Sequence, residues 1–260
     1  MGDRSDVVSS FTVIKGALVP ETYQGFQHWD FGQDRRSNIT RLKELNVFGA
    51  QSTNWLRDLG KVLNRRFEPN GRDRPLVRMA QADVDMEVWR PLLLWHMTRD
   101  EFLVRDFLIH WLEPHFVEGT FRIHVDDVLS YLENLEERGL TQDGKAWSSH
   151  TRKRVASGLL HIASDVGLLT AGVAKEFASY HLPDDSFLYL LHAIVEKEVN
   201  GADVIQSEEW QMYLYSAPDV ERELHRLHQF RRLHFERAGS IVALSLPFET
   251  VADYAESLCA

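Results

Sequence analysis

Three cations recur four residues apart in the N-terminal third of the chain, at Arg57, Lys61 and Arg65. Residues at this spacing lie on one face of a helix, here opposite its leucines. Nearby arginines extend the same positive surface, namely Arg66 and, in the predicted loop that follows, Arg72, Arg74 and Arg78. Such a face suits the phosphates of nucleic acid, because docking releases their bound counterions. The alternative is an ordinary solvated helix face, with Asp58 as a balancing charge.

A second cationic stretch, residues 145–154, holds four Lys and Arg side chains, one histidine and no acid. Its candidate phosphate-contacting residues are Lys145, Ser149, Thr151, Arg152, Lys153 and Arg154. The stretch opens a predicted helix, whose free N–H groups and positive dipole end also favour phosphate oxygens. Cations in a first helical turn oppose the dipole, so their presence here favours a binding role over a simple capped helix start.

Two histidines offer a different chemistry. His225 and His228 are three residues apart on a predicted helix, with Glu221 four residues before the first, a spacing that a metal ion could use. No third ligand, HExxH or CxxC motif accompanies them, which favours surface histidines. Walker, GxGxxG and nucleophile-elbow motifs are also absent. The sequence therefore predicts no catalytic residue, no metal and no cofactor, and a protein that binds rather than catalyses.

The composition is that of a globular protein. Of the 260 residues, 44% are hydrophobic and 26% are charged, and seven Trp and fourteen Phe require well-formed cores. The one cysteine, Cys259, excludes a disulfide framework and favours a reducing compartment. The N-terminus lacks the features of a signal peptide, and charges interrupt the apolar stretches of residues 91–112. We therefore expect a cytoplasmic protein that does not cross a membrane.

The net charge of −10 argues against nucleic acid until its distribution is considered. Residues 1–80 carry a net charge of +4, and residues 81–260 carry −14. Within the first part, residues 34–78 carry +6. We expect the basic N-terminal surface to face a polyanion and the acidic remainder to face elsewhere.

Helical periodicity surrounds both cationic stretches. An extended arm, residues 9–20, leads into a short helix at residues 21–29. Two helices separated by a glycine-bearing turn follow within residues 37–66, which makes them a helix-turn-helix candidate. A second helix pair spans residues 125–166, with Gly139 as a predicted C-cap and a polar loop before Ser148.

The pattern as a whole predicts a mainly α protein of two packed helical parts with helix-turn-helix-like units. Residues 83–113 read as very apolar helical core, and a small β-hairpin is predicted around residues 238–240. We expect an N-terminal basic domain over residues 1–80 and a C-terminal helical domain over residues 81–260.

Three stretches together resemble the BrxA family, a small component of bacterial BREX phage-defence systems. They are Ser10-Phe11-Thr12 with Lys15-Gly16-Ala17-Leu18 and Glu21-Thr22, then WHMTRDEFLVRDFLIHW from Trp95, then SSHTRKRVASGLLHIASDVGLL from Ser148. The likeness covers roughly residues 9 to 195, and residues 196–260 extend beyond the usual family length.

The resemblance implies a helical, non-enzymatic, DNA-binding accessory protein that works beside other BREX subunits. The DNA-contacting residues named above rest on charge and spacing alone. We expect binding to duplex phosphates rather than to base edges. The alternative is a protein-interaction scaffold whose acidic C-terminal part docks onto larger defence subunits, and a metal-dependent enzyme using the histidine pair is the third possibility.

Overall fold

A computed structural model of the chain describes residues 8–138, 140–141, 146–239 and 241–260. The N-terminal part is built from five helices, which are α1 (Ser10–Val13), α2 (Val19–Gln27), α3 (Arg35–Glu44), α4 (Thr53–Arg66) and α5 (Arg74–Gln81). Helix α4 begins where the sequence predicts it, because the side chain of Ser52 accepts a hydrogen bond from the Trp55 amide at 3.2 Å.

The middle of the chain is also helical, with α6 (Met86–Met97), α7 (Phe102–Phe107), a π-helical turn (Leu108–Leu112), α8 (Glu113–Val117), a 3-10 turn (Val125–Val128), α9 (Leu129–Glu137), α10 (Ser149–Asp165) and α11 (Asp184–Val195). The apolar segment predicted over residues 83–113 is helical core, but a turn at residues 98–100 separates α6 from α7. The predicted C-cap Gly139 lies outside the described residues.

The C-terminal part consists of α12 (Gly201–Gln206), a 3-10 turn (Glu208–Tyr213), α13 (Ala217–Gln229), the strands β1 (His234–Ala238) and β2 (Ile241–Ser245), and α14 (Val251–Ser257). The strands pair antiparallel with Phe235 opposite Leu244. Ser240, at the predicted turn, lies outside the described residues. The predicted mainly α fold with a small C-terminal hairpin is thus confirmed.

Most of the buried apolar side chains form one connected cluster to which most of these helices contribute, and Leu18, Leu59 and Val62 form a second, small cluster. The centre of the large cluster lies where α11 packs on α6, with the fully buried rings of Trp89, Trp95 and Tyr189. Burying aromatic rings of this size supplies much of the hydrophobic stabilisation of a domain. The large cluster includes residues on both sides of position 80, and the two-domain division stays a prediction.

Two local predictions about the N-terminal part are wrong. Residues 9–20 are not an extended arm, because they contain α1, whose Thr12 and Val13 are buried in the core. Arg74 and Arg78 lie in helix α5 rather than in a loop, and their guanidinium groups stack on the Phe31 ring at 4.5 and 5.4 Å. Within the described ranges, no helix is both long and apolar enough to span a bilayer.

Candidate nucleic-acid interface

Helix α10 turns a cationic face to solvent. Its first turn contains no acid, and its N-cap Ser148 accepts a hydrogen bond from the Thr151 amide at 3.1 Å. The helix buries a continuous apolar side that includes Val155, Leu159 and Ile162. The exposed side chains of the opposite side are Ser149, His150, Lys153, Arg154 and His161, and Asp165 is exposed at the last residue of the helix. The packing of the apolar side fixes the direction in which these polar groups point.

A groove of about 410 Å³ runs along this face of α10. Its polar lining is His150, Lys153, Arg154, Ser157 and His161 of α10, and Ile14, directly after α1, borders it. Among the described residues that line it, none carries a carboxylate. The residues at positions 150, 154, 157 and 161 share one side of the helix, since they are separated by four, three and four residues. The groove is therefore an open, positively charged channel with a hydroxyl donor.

Arg152 points away from this groove. Its guanidinium contacts Glu133 at 3.0 Å and Glu136 at 2.7 Å, both on α9. The hydrogen bond to Glu136 raises the pKa of Arg152. This side chain fastens α10 to α9, and its charge is already balanced by two carboxylates.

Lys153 has one acidic neighbour, Asp126, at 3.2 Å. Both side chains are exposed, so the pair is weak and a phosphate can replace the carboxylate. Arg154 has no ion pair among the described residues and is exposed. The side-chain hydroxyl of Thr151 lies 3.0 Å from that of Ser148 and belongs to the cap.

Two isolated β-bridges flank the helix pair α9–α10. Before α9, Ile123 exchanges two backbone hydrogen bonds of 2.8 Å with Lys175. After α10, Leu169 pairs antiparallel with Phe177, which leaves residues 170–174 as a protruding loop. The loop carries Val173, which is 91% exposed. Segments before and after the two helices thus meet in one small antiparallel arrangement beside α10.

The cationic face of α4 is a second positive surface. Arg57 and Lys61 are exposed and Arg65 is partly exposed, as their spacing predicts. The Lys61 ammonium lies 5.7 Å from the centre of the Phe11 ring in α1. Arg57 lies 3.9 Å from Asp58, whose carboxylate is bound by Lys15 at 2.6 Å. The hydrogen bond from Lys15 lowers the pKa of Asp58.

Arg66 was expected on this surface, and that prediction is wrong. Its side chain is 0% exposed, and its Nε lies 3.0 Å from the carboxylate of Glu101, which is also buried. Its terminal nitrogens donate to the backbone carbonyls of Thr12, Gly16 and Ala17 at 2.9–3.2 Å. All three guanidinium nitrogens donate to groups inside the protein and the side chain has no exposed surface, so Arg66 cannot reach DNA.

A protein-family comparison identifies the chain. The family model of BrxA matches residues 9–193, which is most of the chain. The chain belongs to the BrxA family. It is accordingly a component associated with BREX systems. Searches of curated proteins and of solved structures returned no match.

The part that matches the BrxA family begins before α1 and ends within α11. It contains α4, α9 and α10, and with them both cationic surfaces. Two of the stretches that resemble the family, residues 10–22 and 148–169, lie against each other where α1 packs on α10. The hairpin and α12–α14 follow the matched residues, and α14 packs on α5 and α11 inside the matched part.

Of the residues predicted to contact DNA in this BrxA-family chain, Lys145 lies outside the described residues. Ser157 and His161 were not predicted, although their helical spacing from His150 and Arg154 was readable in the sequence. Nothing in the local sequence placed α1 beside them, because that contact joins segments more than 140 residues apart.

The histidine pair on α13 has packing roles. The Nδ1 atom of His228 accepts a hydrogen bond from the Phe235 amide at 3.1 Å, which connects α13 to β1. The His225 ring packs edge-on against Phe235. Over the described ranges, no cluster of three or more His, Cys, Asp or Glu side chains is arranged to hold a metal ion.

Proposed function

We propose that this chain is a non-enzymatic, cytoplasmic DNA-binding component of a BREX system and that it docks on duplex DNA through the exposed face of α10. The observation that carries the proposal is the carboxylate-free groove lined by His150, Lys153, Arg154, Ser157 and His161. Phosphate oxygens accept hydrogen bonds from these groups, and the cations displace counterions from the duplex. The main contacts are to the backbone, so binding depends little on sequence.

The order of elements around α10 supports the same proposal. A single β-bridge at Ile123, the helices α9 and α10, and a second bridge between Leu169 and Phe177 follow one another in the order of a winged helix-turn-helix. In such units the second helix enters the major groove, which is about 12 Å wide and admits a helix. Here α10 is that helix, and residues 170–174 are the wing.

The distribution of charge favours one orientation on DNA. Residues 81–260 carry a net charge of −14, but the exposed side of α10 carries two cations and two histidines along most of its length, with one acid, Asp165, at its last residue. Acidic residues elsewhere are repelled by the duplex, which is itself a polyanion. Attraction at α10 and repulsion elsewhere orient the protein during approach.

The proposal is tested by fluorescence anisotropy of a labelled duplex across a salt series. We expect the double variant Lys153→Gln with Arg154→Gln to make the slope of log K against log salt less steep by about 2. Each phosphate contact contributes roughly 0.9 to the size of this slope. Arg222→Gln with Arg231→Gln is the matched control, since it removes the same charge from the exposed surface near α13. Equal slopes for the two double variants would contradict a site on α10.

Arg152 provides a sharper prediction within the same helix. We expect Arg152→Gln to change duplex affinity much less than Arg154→Gln, because Glu133 and Glu136 already bind the Arg152 guanidinium. Its main effect is a lower melting temperature, since the α9–α10 contact loses its ion pairs. Anisotropy and thermal denaturation of the two single variants measure both quantities. An affinity loss at Arg152 as large as that at Arg154 contradicts the assignment.

A protein-interaction scaffold for other BREX subunits is the second candidate, and exposed apolar side chains favour it. Val117, the last residue of α8, is 70% exposed, and Phe121, four residues further along the chain, is 71% exposed. Exposed apolar residues that gather on a surface are typical of protein-binding sites. Absence of duplex binding by the unmodified protein at low salt would exclude the DNA proposal and leave this one.

A further inference from the structure

Helix α1 lies between the two cationic helices. Phe11 in α1 and Ile14, its C-cap residue, are three residues apart and therefore share the outer side of this helical turn. The Phe11 ring contacts Lys61 of α4, and Ile14 borders the groove of α10. The outer side of α1 thus connects two positive surfaces that belong to distant parts of the sequence.

The buried side of α1 is held on α4 by Arg66. Its guanidinium binds the carbonyl of Thr12 inside α1 and those of Gly16 and Ala17 just after it. Glu101 neutralises the guanidinium and also accepts the Thr12 hydroxyl at 2.8 Å. Gly16 has a φ of +79°, which lets the chain turn so that these carbonyls point at one cation. A charged group at the centre of such a network fixes the position of the backbone around it.

On its other flank α1 is held against α10 by close backbone contact. A Cβ atom at Gly158 would lie 2.5 Å from the carbonyl oxygen of Val13, so any side chain there forces the two helices apart. Below this contact, the carboxylate of Asp165 accepts the amide of Ala17 at 3.1 Å. Helix α1 therefore sits against α10 at one defined place.

We propose that α1 joins the cationic face of α4 and the groove of α10 into one duplex-binding surface, with Arg66 and Gly158 as positioning residues. The inference rests on the function proposed above. A helix is about 10 Å across with its side chains, so α4 lies about one helix width from α10, on the far side of α1. With α10 in the major groove, which is about 12 Å wide, the cations of α4 are thus placed to contact phosphates on the border of that groove.

The decisive variant is Gly158→Ala, which favours the helical state of α10 while it displaces α1. In the unmodified protein we expect Lys61→Gln to lower the salt slope of duplex binding by about 1, as for the loss of one phosphate contact. In the Gly158→Ala background we expect Lys61→Gln to have no further effect, since α4 no longer lies in register with α10. Anisotropy over a salt series measures the four members of this cycle.

Gly60→Ala is the matched control, because its added methyl group meets mainly the flexible end of the Lys43 side chain. The Lys61→Gln effect should persist in that background. Asp165→Ala gives a second, milder release of α1, and it keeps the cycle informative if Gly158→Ala does not fold. The charge removed by Asp165→Ala does not affect the comparison, because the effect of Lys61→Gln is measured between two proteins that both carry Asp165→Ala.

The outcomes separate this inference from the function on which it rests. An equal Lys61→Gln effect in the parent and in the α1-releasing backgrounds would overturn the composite surface, as would the absence of any effect in the parent. If the composite surface is overturned in either way but the Lys153→Gln, Arg154→Gln double variant loses duplex binding, DNA binding is assigned to α10 alone. Unchanged binding in every variant would overturn both.

Discussion

Replacement of Arg66 by methionine is expected to lower the free energy of unfolding by about 3–5 kcal/mol. The substitution leaves the carboxylate of Glu101, which is 1% exposed, without its cation inside the protein. It also removes the donors to the carbonyls of Thr12, Gly16 and Ala17. A typical domain has about 5–15 kcal/mol of stability, so the loss is a large fraction of the whole. Urea denaturation followed by circular dichroism measures it.

Arg65→Met is the control for this prediction. Arg65 lies on the same turn of α4 but is partly exposed, so its loss should cost no more than about 0.5 kcal/mol. The double variant Arg66→Met with Glu101→Met should recover part of the loss, because it removes the unpaired carboxylate. Similar stabilities for Arg65→Met and Arg66→Met would show that the buried pair has no such role.

Arg66 also shows which information the sequence held and which it did not. Leu59, Val62, Leu63 and Arg66 follow the spacing of one buried helix face, so the position of Arg66 inside the protein was readable from periodicity. Grouping it with the other arginines by charge produced the wrong prediction. Its partner Glu101 is 35 residues away, and no local pattern specifies such a pair.

Elements defined by local chemistry were the predictable ones. The side chains of Ser52 and Ser148 cap helices because hydroxyl groups satisfy free N–H groups within three residues. The hairpin follows from two strand-like segments around a glycine turn, and it forms as predicted. Such signals depend on neighbours in sequence, and tertiary packing does not reverse them here.

The candidate site was predictable only in part. The cations of α10 were identified from composition and the helix start, and the structure exposes Lys153 and Arg154 as expected. The sequence did not predict which of these cations are free to bind DNA. The guanidinium of Arg152 is bound by carboxylates of α9 that lie 16 to 19 residues earlier in the chain. The approach of α1 to α10 depends on Gly158, where the absence of a side chain is the relevant feature.

A buried network that joins the N-cap residue of α5 to α6 and α11 leads to the second large effect. His96 Nδ1 lies 2.6 Å from the carboxylate of Asp73, and His96 Nε2 lies 2.7 Å from the Tyr189 hydroxyl. All three side chains are fully or almost fully buried. A neutral imidazole satisfies both contacts, since Nδ1–H donates to the carboxylate and Nε2 accepts from the hydroxyl.

Burial lowers the pKa of His96, although the hydrogen bond to Asp73 opposes the shift. Burial lowers the pKa of His192 in the same way, against a hydrogen bond to the Leu188 carbonyl. Burial by itself raises the pKa of Asp73, but the hydrogen bond with His96 brings it below its usual value. The two histidines and the aspartate therefore affect stability in different pH ranges.

The unfolded chain takes up protons on these histidines at a pH where the folded chain does not. Their contribution to stability is complete above the unfolded-state pKa of about 6.5 and is lost as the pH falls below it. Each pH unit below that point costs about 1.4 kcal/mol per histidine until the folded-state pKa is reached. Asp73 adds its own loss only below its unfolded-state pKa of about 3.9.

We therefore expect the free energy of unfolding to fall between pH 7.5 and pH 5.5. In His96→Gln this pH dependence should be about half as steep, because His192 still contributes to it. The free energy of unfolding of His96→Gln at pH 7.5 should be lower by about 2–3 kcal/mol, since Asp73 loses a charge-assisted hydrogen bond. Denaturant titrations at both pH values, with the exposed His150→Gln as control, measure these differences. If the free energy of unfolding of the unmodified protein stays constant or rises toward pH 5.5, the prediction that His96 and His192 are buried in their neutral form is wrong.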